Sequence, residues 1–339
     1  MTVSILVGDC RQRLRDIASG SINTCVTSPP YFGLRDYGSL GQIGLENSPD
    51  DFIQTMVEVF SEVWRVLRDD GTLWLNLGDS YAGGGCGARD TERWPKQSTN
   101  DHMPKHAKRS TGLKPKNLIG IPWRVAFALQ EAGWILRQDI VWSKPNPMPE
   151  SVADRCTKSH EYIFLLTKNP RYYFDQEAIL EPVSAATNAR MSQNVIAQIG
   201  SARAHGGMKA NGAMKAVGRN TKAAANAPGV KYNESFCASV CMPVDRRNKR
   251  SVWTVNTRGF SGAHFATFPP ELIEPCILAG CPLGGTVLDP FGGSGTTGLV
   301  AERVGRNSKL IELNPEYAEM AKSRIVSDMT LFANVEIAA

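Results

Sequence analysis

Short apolar runs alternate with amphipathic stretches from the first residues of the chain. Ser4–Val7 is an apolar run ending at Gly8-Asp9, and one or two turns of helix are expected next. Residues 21–27 (SINTCVT) alternate toward a second strand, which runs directly into Ser28-Pro29-Pro30-Tyr31. After the loop FGLRDYGSLGQIG, Ser48 is placed as the N-cap of a helix. Pro49 takes its first position, and Asp50 and Asp51 complement the positive end of its dipole. Phe52, Met56, Val59, Val63, Val66 and Leu67 recur at helical spacing and predict the buried face. Arg65 and Arg68 suit the C-terminal end, Gly71 is expected to stop the helix, and the strand TLWLNLGD follows.

Residues 82–118 lose this periodicity and are expected to form a long mobile loop rich in Gly, Lys, Arg and His. Pro122 then opens a helix. Trp134–Trp142 and Glu161–Thr167 read as strands, with Tyr172–Phe174 a shorter candidate. From 184 to about 230 the composition shifts to Ala, Gly, Asn, Ser and Lys, which marks an inserted module or a partly disordered arm. Order returns in the last third: helix Pro270–Ala279, strand Gly285–Asp289, a glycine-rich turn, helix Thr296–Val304, strand Ser308–Glu312, helix Pro315–Ile325. Strands alternating with helices imply an α/β fold with a mostly parallel sheet covered on both faces.

Length narrows this only a little. A chain of 339 residues suits one large α/β domain with an insert, or two smaller domains. No apolar run approaches the ~20 residues of a membrane span. The N-terminus MTVSILVGDC lacks the basic-then-apolar order of a signal peptide, so a cytoplasmic protein is expected. Of the eight cysteines only Cys237/Cys241 and Cys276/Cys281 lie close, and neither pair has CxxC spacing. Reduced thiols and no metal site are therefore expected. Charge changes the picture more. Residues 184–250 carry a net +9 and residues 89–116 a net +5, which leaves −9 on the rest of a chain whose total is +5. Two basic segments on an acidic body suit contact with a polyanion, although solvated basic loops would look the same.

The candidate chemistry sits at strand ends. Asp289-Pro290-Phe291-Gly292-Gly293-Ser294-Gly295-Thr296-Thr297-Gly298 joins a strand to a helix. Glycines there let the backbone approach a ligand, and the helix N-terminus offers free N–H groups. The next strand ends in Glu312, and an acid at that place can accept both hydroxyls of a ribose. No lysine follows the glycines, which disfavours a P-loop. A nucleotide-like ligand is implied, against the plainer reading of a turn that only packs tightly. In Ser28-Pro29-Pro30-Tyr31 the prolines stiffen the backbone and remove competing donors. The Ser28 side chain and the Pro29 carbonyl can act as rigid acceptors, and Tyr31 supplies a flat face for an amino-bearing heterocycle. A Pro-Pro turn with a packed tyrosine is the alternative.

Together these motifs resemble the circularly permuted β class of S-adenosylmethionine-dependent DNA amino-methyltransferases, the cytosine-N4/adenine-N6 family. VTSPPY (26–31) matches the catalytic motif and VLDPFGGSGTTG (287–298) the cofactor motif, with SPPY first in the chain. VGDC, NLGDSY, IVWSKPNPMPESVADR, HEYIFLLTK, HFATFPPELI and IELNPEY match further, so the likeness spans nearly everything but 82–118 and 184–250. It implies a Rossmann-like class I methyltransferase sheet of seven strands, the last antiparallel, circularly permuted and with an inserted target-recognition region. Residues 1–183 would be the catalytic part, 184–250 the recognition insert and 251–339 the cofactor part.

The resemblance also assigns roles. S-adenosyl-L-methionine would be held by Asp9, Cys10, Asp289, Pro290, Phe291, Gly292, Gly293, Ser294, Gly295, Thr296, Thr297, Glu312 and Phe268. Glu312 would take the ribose, Asp9 the adenine amino group, and the glycines with His264–Pro269 the methionine end. Ser28, Pro29, Pro30 and Tyr31 would be catalytic. Lys144, Arg246, Arg247, Lys249 and Arg250 are candidate DNA contacts. The expected partner is double-stranded DNA, bound by a homodimer of a bacterial or phage-encoded restriction-modification methyltransferase. A serine at the head of the motif favours cytosine N4, with adenine N6 the alternative. A non-catalytic DNA-binding regulator, or methylation of RNA or a protein glutamine, would also use parts of these features.

Overall fold

The first residues set a pattern repeated along the chain. The strand β1 (Thr2–Val7) ends at Gly8, and Asp9 caps a one-turn helix, α1 (Cys10–Arg13), through a bond from the Arg11 N–H. Gly8 is required there. Its φ is +138°, and a Cβ would lie 2.8 Å from Arg13 Nε. In this computed structural model residues 1–34, 38–39, 41–83, 111–183, 246–258, 267–328 and 334–338 are described.

The next unit repeats that logic at full length. β2 (Ile22–Thr27) leads to α2 (Pro49–Val66), which the Ser48 hydroxyl caps at 3.1 Å from the Asp51 N–H. Phe52, Met56, Val59, Phe60, Val63 and Val66 are buried on its inner face. The helix ends at Val66, ahead of Gly71. There Leu67 turns extended and β3 (Leu67–Leu77) runs straight through the glycine. Gly71 is needed for close packing rather than as a stop, since a Cβ would meet the Arg68 and Asn23 carbonyl oxygens at 3.0 and 3.1 Å. α3 (Ile121–Glu131), β4 (Ile135–Ser143) and β5 (His160–Thr167) follow close to expectation. Tyr172–Phe174 is not a strand. Tyr173 gives a single backbone bond, to the Asp70 carbonyl, and Phe174 lies on Trp74. A short antiparallel pair comes next, Glu181–Pro182 (β6) with Arg246–Arg247 (β7).

The last third supplies β8 (Val252–Thr254), α4 (Pro270–Gly280), β9 (Thr286–Asp289), α5 (Thr296–Arg303), β10 (Asn307–Glu312), α6 (Pro315–Asp328) and β11 (Asn334–Ala338). The sheet has nine strands in the order β11-β1-β10-β9-β2-β3-β5-β4-β8. The seven expected strands are joined by two short edge strands, β8 and β11, whose sequences carry too little periodicity to announce them. β5 is antiparallel to both β3 and β4, and every other neighbour pair is parallel. The antiparallel strand thus lies inside the sheet, and mid-chain in sequence.

The main core forms where α1, α2 and α3 cover one part of the sheet, around Phe52, Phe60, Leu75 and Phe164. A second cluster joins α5 and α6 to β1 and β10 through Val3, Leu299, Leu310 and Ile325. The chain divides into two compact units, Met1–Ala178 with Arg250–Ala339, and Ile179–Lys249. Among the described residues of the second unit, the regular structure is the β6–β7 pair. The predicted mobile loop falls largely outside the described residues, as does most of 184–250. The described ends of the loop are pinned together by bonds between Ala82 and Asn117 and between Lys116 and Ala82. Among the described residues no helix is long and apolar enough to cross a membrane.

Candidate active site

The strand order reverses between β9 and β2. From β9 the chain passes through α5 to β10 on one side, and from β2 it passes through α2 to β3 on the other. A crevice opens at such a point, beyond the carboxyl ends of the parallel strands. Here those ends carry Gly8-Asp9, Ser28-Pro29, Gly78-Asp79, Pro290-Phe291 and Leu313. β5, running the other way, brings its first residues, His160 and Glu161, to the same edge. All of these line one cavity of about 780 Å³, and Tyr317 and Met320 of α6 close its side.

The glycine turn divides by function. Pro290, Phe291, Gly293 and Ser294 line the cavity, as do Asp9, Cys10, Phe268 and Glu312. Asp289, Gly292, Gly295, Thr296 and Thr297 stand behind it. A Cβ on Gly292 would sit 3.1 Å from Leu310 Cβ, and one on Gly295 2.8 Å from Ala321 Cβ, so these two glycines serve packing against β10 and α6. Gly293 has φ +49° and no atom closer than 3.9 Å to its missing Cβ, and it is the glycine whose backbone a ligand can approach. Glu312 accepts from the Gly293 N–H at 2.8 Å and from the Asn314 N–H at 2.9 Å, one on each oxygen. A carboxylate has about four acceptor sites, so room is left for a further donor. Burial raises the pKa of Glu312 above the ordinary range, against the pull of those N–H groups.

Asp289 is the deepest charged group of the region. Its carboxylate accepts from Thr27 Oγ1 and Thr297 Oγ1, each at 2.6 Å, and from the Phe291 N–H at 3.0 Å. Thr27 directly precedes Ser28, and Thr297 lies in the first turn of α5. One buried side chain therefore locks together two motifs that are 262 residues apart in sequence. Burial raises its pKa, and the three donors oppose the shift.

Ser28, Pro29, Pro30 and Tyr31 all line the cavity. The Ser28 hydroxyl donates to Asn76 Oδ1 at 3.3 Å, which leaves its oxygen free to accept. Asn76 Nδ2 donates to the Tyr162 carbonyl at 3.1 Å, which fixes which end of the amide faces Ser28. The Tyr31 hydroxyl lies 2.7 Å from Glu161 Oε2 and 3.2 Å from Asn76 Oδ1, and its single proton goes to the nearer, charged oxygen. Its ring packs against Gly78, where a Cβ would come within 2.4 Å. Glu161 is in turn paired with Lys144, whose ammonium stands 4.1 Å from the centre of the Trp142 ring. Lys158 also lines the cavity, donating to the Asp79 carbonyl at 3.3 Å, and burial lowers its pKa.

Comparison with known proteins bears on this arrangement. A family model described as DNA methylase, of the N6/N4 type, matches residues 22–323. The chain belongs to the N6/N4 DNA methylase family. The methylase is 44% identical over 322 residues to the type II methyltransferase M.SmaI of Serratia marcescens, covering 95% of this chain and 90% of that one. It is 45% identical over 327 residues to M.Cfr9I of Citrobacter freundii, covering 96% and 89%. Among solved structures it shares its fold with the DNA modification methylase TTHA0409 of Thermus thermophilus in complex with S-adenosyl-L-methionine. That match has a TM-score of 0.55 and 22% identity, with 99% and 100% of the chains covered. PvuII DNA methyltransferase (cytosine-N4-specific) gives a TM-score of 0.58 at 17% identity, over 96% and 92%.

S-adenosyl-L-methionine is the methyl donor of such enzymes, and the residues of this methylase suit it. Phe291, Ile311, Leu313, Tyr317 and Met320 give apolar walls for a purine and the methylene groups of a methionine chain. Glu312 offers spare acceptors beside an open glycine. Asp9 is more committed than its position suggested. Arg11 bonds both its oxygens, and although burial acts to raise its pKa, the Arg11 bonds and charge hold it below the ordinary value. Burial pushes the Cys10 thiol up to about 12, so it is a neutral wall and not a nucleophile. His264–Ala266 lie outside the described residues.

The predicted DNA contacts fall in both units. Lys144 lies in the cavity and is ion-paired there. Arg247 and Lys249 both pair with Glu181 inside the second unit, at 3.6 and 3.2 Å. Arg246 belongs to the same short ladder, and Arg250 is in the first unit, its carbonyl accepting from Trp253 Nε1. Sequence reasoning missed Asn76, Glu161, Thr27 and the wall residues of α6. Asn76 and Glu161 did stand inside quoted motifs, at strand ends, where a polar residue beside a buried run is the available signal. Among the described residues no group of three or more His, Cys, Asp or Glu is placed to hold a metal.

Proposed function

We propose that this methylase transfers a methyl group to the exocyclic N4 amino group of a cytosine extruded from duplex DNA. The observation that carries the reading is the pair of acceptors at the cavity wall. The Ser28 oxygen has its own proton committed to Asn76, and the Pro29 carbonyl is followed by a residue with no N–H. An exocyclic amino nitrogen is a poor nucleophile, because its lone pair is delocalised into the ring. Two fixed acceptors hold its two N–H groups and favour a pyramidal nitrogen with a localised lone pair. When bound, S-adenosylmethionine supplies an electrophilic methyl carbon on a positively charged sulfur. The chain's contribution is positioning and electrostatics, with no covalent intermediate on the protein.

Tyr31, held by Gly78 and Glu161, offers its ring to the base, and a base inside a duplex reaches that ring only by leaving the stack. The neutral serine at the head of the motif supports cytosine over adenine, because in the resembled class aspartate or asparagine more often serves adenine N6. Residues 184–250, the most basic stretch, are assigned to target recognition, and two copies of the chain would enlarge a modest recognition surface. The test is to incubate the protein with plasmid DNA and S-adenosylmethionine, digest to nucleosides and identify the product by mass. N4-methylcytosine is expected. N6-methyladenine would overturn the choice of base while leaving the acceptor mechanism in place, and no methylated nucleoside would overturn both.

A further inference from the structure

The connection between β4 and β5 carries a feature the chemistry above does not use. Met148 is 84% exposed, the most exposed large apolar side chain among the described residues, yet it lines the mouth of the catalytic cavity. It stands between Pro147 and Pro149, which fix the backbone on either side. Two residues before it, Asn146 is tied to Thr257 by three hydrogen bonds of 3.0, 2.8 and 3.2 Å. Two residues after it, Glu150 takes the Arg155 guanidinium at 2.6 Å and the Lys158 N–H at 3.3 Å. The base of the loop is closed by the Lys144 N–H on the Ser159 carbonyl at 2.8 Å. An apolar side chain left in water on a stretch pinned at both ends is not a mobile loop tip. It is a fixed prong at the entrance of a site that takes a flat ring.

We infer that Met148 is the wedge that enters the DNA stack and fills the gap left when the target base moves into the cavity, a role that rests on the extruded-base reading above. The chemistry suits it. Proteins that open a duplex step insert apolar side chains, methionine among them, between bases. An unbranched thioether adapts to an irregular gap. Leu34, 42% exposed on the loop after Tyr31, lines the same mouth and gives the opened strand a second apolar contact. Filling the gap lowers the cost of unstacking. The wedge therefore matters when the base must be pulled from a paired stack, and not when it is already loose.

That difference is the test. Met148→Ala and Met148→Leu are compared with the wild type on a duplex of the site mapped from methylated plasmid DNA. Each is also assayed on the same duplex with an abasic nucleotide opposite the target base. On the matched duplex Met148→Ala should lose about tenfold or more in kcat/KM, while on the opened duplex it should stay within about threefold of wild type. Met148→Leu should stay near wild type on both. The fluorescence gain of 2-aminopurine placed next to the target base should shrink in the alanine variant. Equal losses on both duplexes, or no loss on either, overturn the wedge while wild-type preference for the opened duplex keeps the extrusion reading alive. A wild type that shows no such preference sinks the extrusion reading, and the wedge with it.

Discussion

Replacing Asp289 with alanine should unfasten the two halves of the site. The carboxylate takes three donors, from Thr27, Thr297 and the Phe291 N–H. After truncation the Thr297 hydroxyl keeps a long bond to the Val26 carbonyl at 3.4 Å, but the Thr27 hydroxyl loses its partner in a buried place and the Phe291 N–H in a partly buried one. Each orphaned donor costs about 1–3 kcal/mol. Removing a charge that burial disfavours offsets part of that. A net loss of about 3 kcal/mol follows, a shift of roughly 1 M in urea midpoint at an m-value near 3 kcal/mol/M. Asp289→Asn keeps the shape and at least one acceptor and should lose less. Turnover should fall more steeply than stability in both variants, because a misplacement of about 1 Å between reacting groups can cost 100-fold. The pH dependence has a definite sign. The folded pKa of Asp289 lies above its unfolded value, so its ionised form in the fold is disfavoured. The stability of the wild type relative to Asp289→Asn should therefore rise as pH falls from that raised pKa toward the ordinary carboxylate range, and stay flat above it. Urea unfolding at several pH values reads both effects. An alanine variant within about 0.5 kcal/mol of wild type would falsify the clamp.

Three further outcomes follow from the site. Glu312→Ala should weaken S-adenosylmethionine binding by about 1–3 kcal/mol, measured by isothermal titration, and unchanged affinity in a folded variant would remove Glu312 from the cofactor site. Ser28→Ala and Tyr31→Ala should lower kcat far more than DNA affinity, whereas Tyr31→Phe, which keeps the ring and loses the hydroxyl's bond to Glu161, should lie between; wild-type turnover in the first two would end the catalytic assignment. DNA binding should fall steeply with salt, and deleting 190–225 should abolish site-specific methylation while cofactor titration stays normal. A deletion variant that methylates the same sites at a normal rate would place recognition elsewhere.

How far the sequence reaches depends on how local the cause is. Ser48, Pro49 and the apolar spacing from Phe52 to Val66 act within one helix, and that helix forms as they require. Gly71 misled, because its role is to let β3 pass close to Asn23, a contact between strands that no local pattern reports. The same holds for the glycine turn. All its glycines looked alike in sequence, but Gly292 and Gly295 answer to β10 and α6, and Gly293 alone of the three opens to the cavity. The short strands β8 and β11 were invisible because three and five residues at a sheet edge need no burial pattern on either face. Asn76 and Glu161 were legible as strand-end polar residues but not as partners, since only the antiparallel entry of β5 brings Glu161 to Tyr31.

The division of charge along the chain has a physical reason. The cavity gathers acceptors: Asp9, Ser28, Asn76, Glu161 and Glu312 all face it. Of the cations at its wall, Lys144 is paired with Glu161 and Arg258 with Glu271, and burial lowers the pKa of Lys158. An amino group and a sulfonium cofactor are both stabilised by such surroundings, and a phosphate is repelled by them. Attraction for a polyanion is therefore expected from other residues of the chain. The two most basic segments, 89–116 and 184–250, are both insertions between elements of the sheet, and together they carry a net +14 on a chain whose remainder is −9. If affinity for DNA lives in those insertions and turnover in the strand ends, the two can change independently. Substitutions at Ser28 or Tyr31 then leave the salt dependence of binding untouched, and neutralising lysines in 89–116 flattens that dependence without altering cofactor affinity.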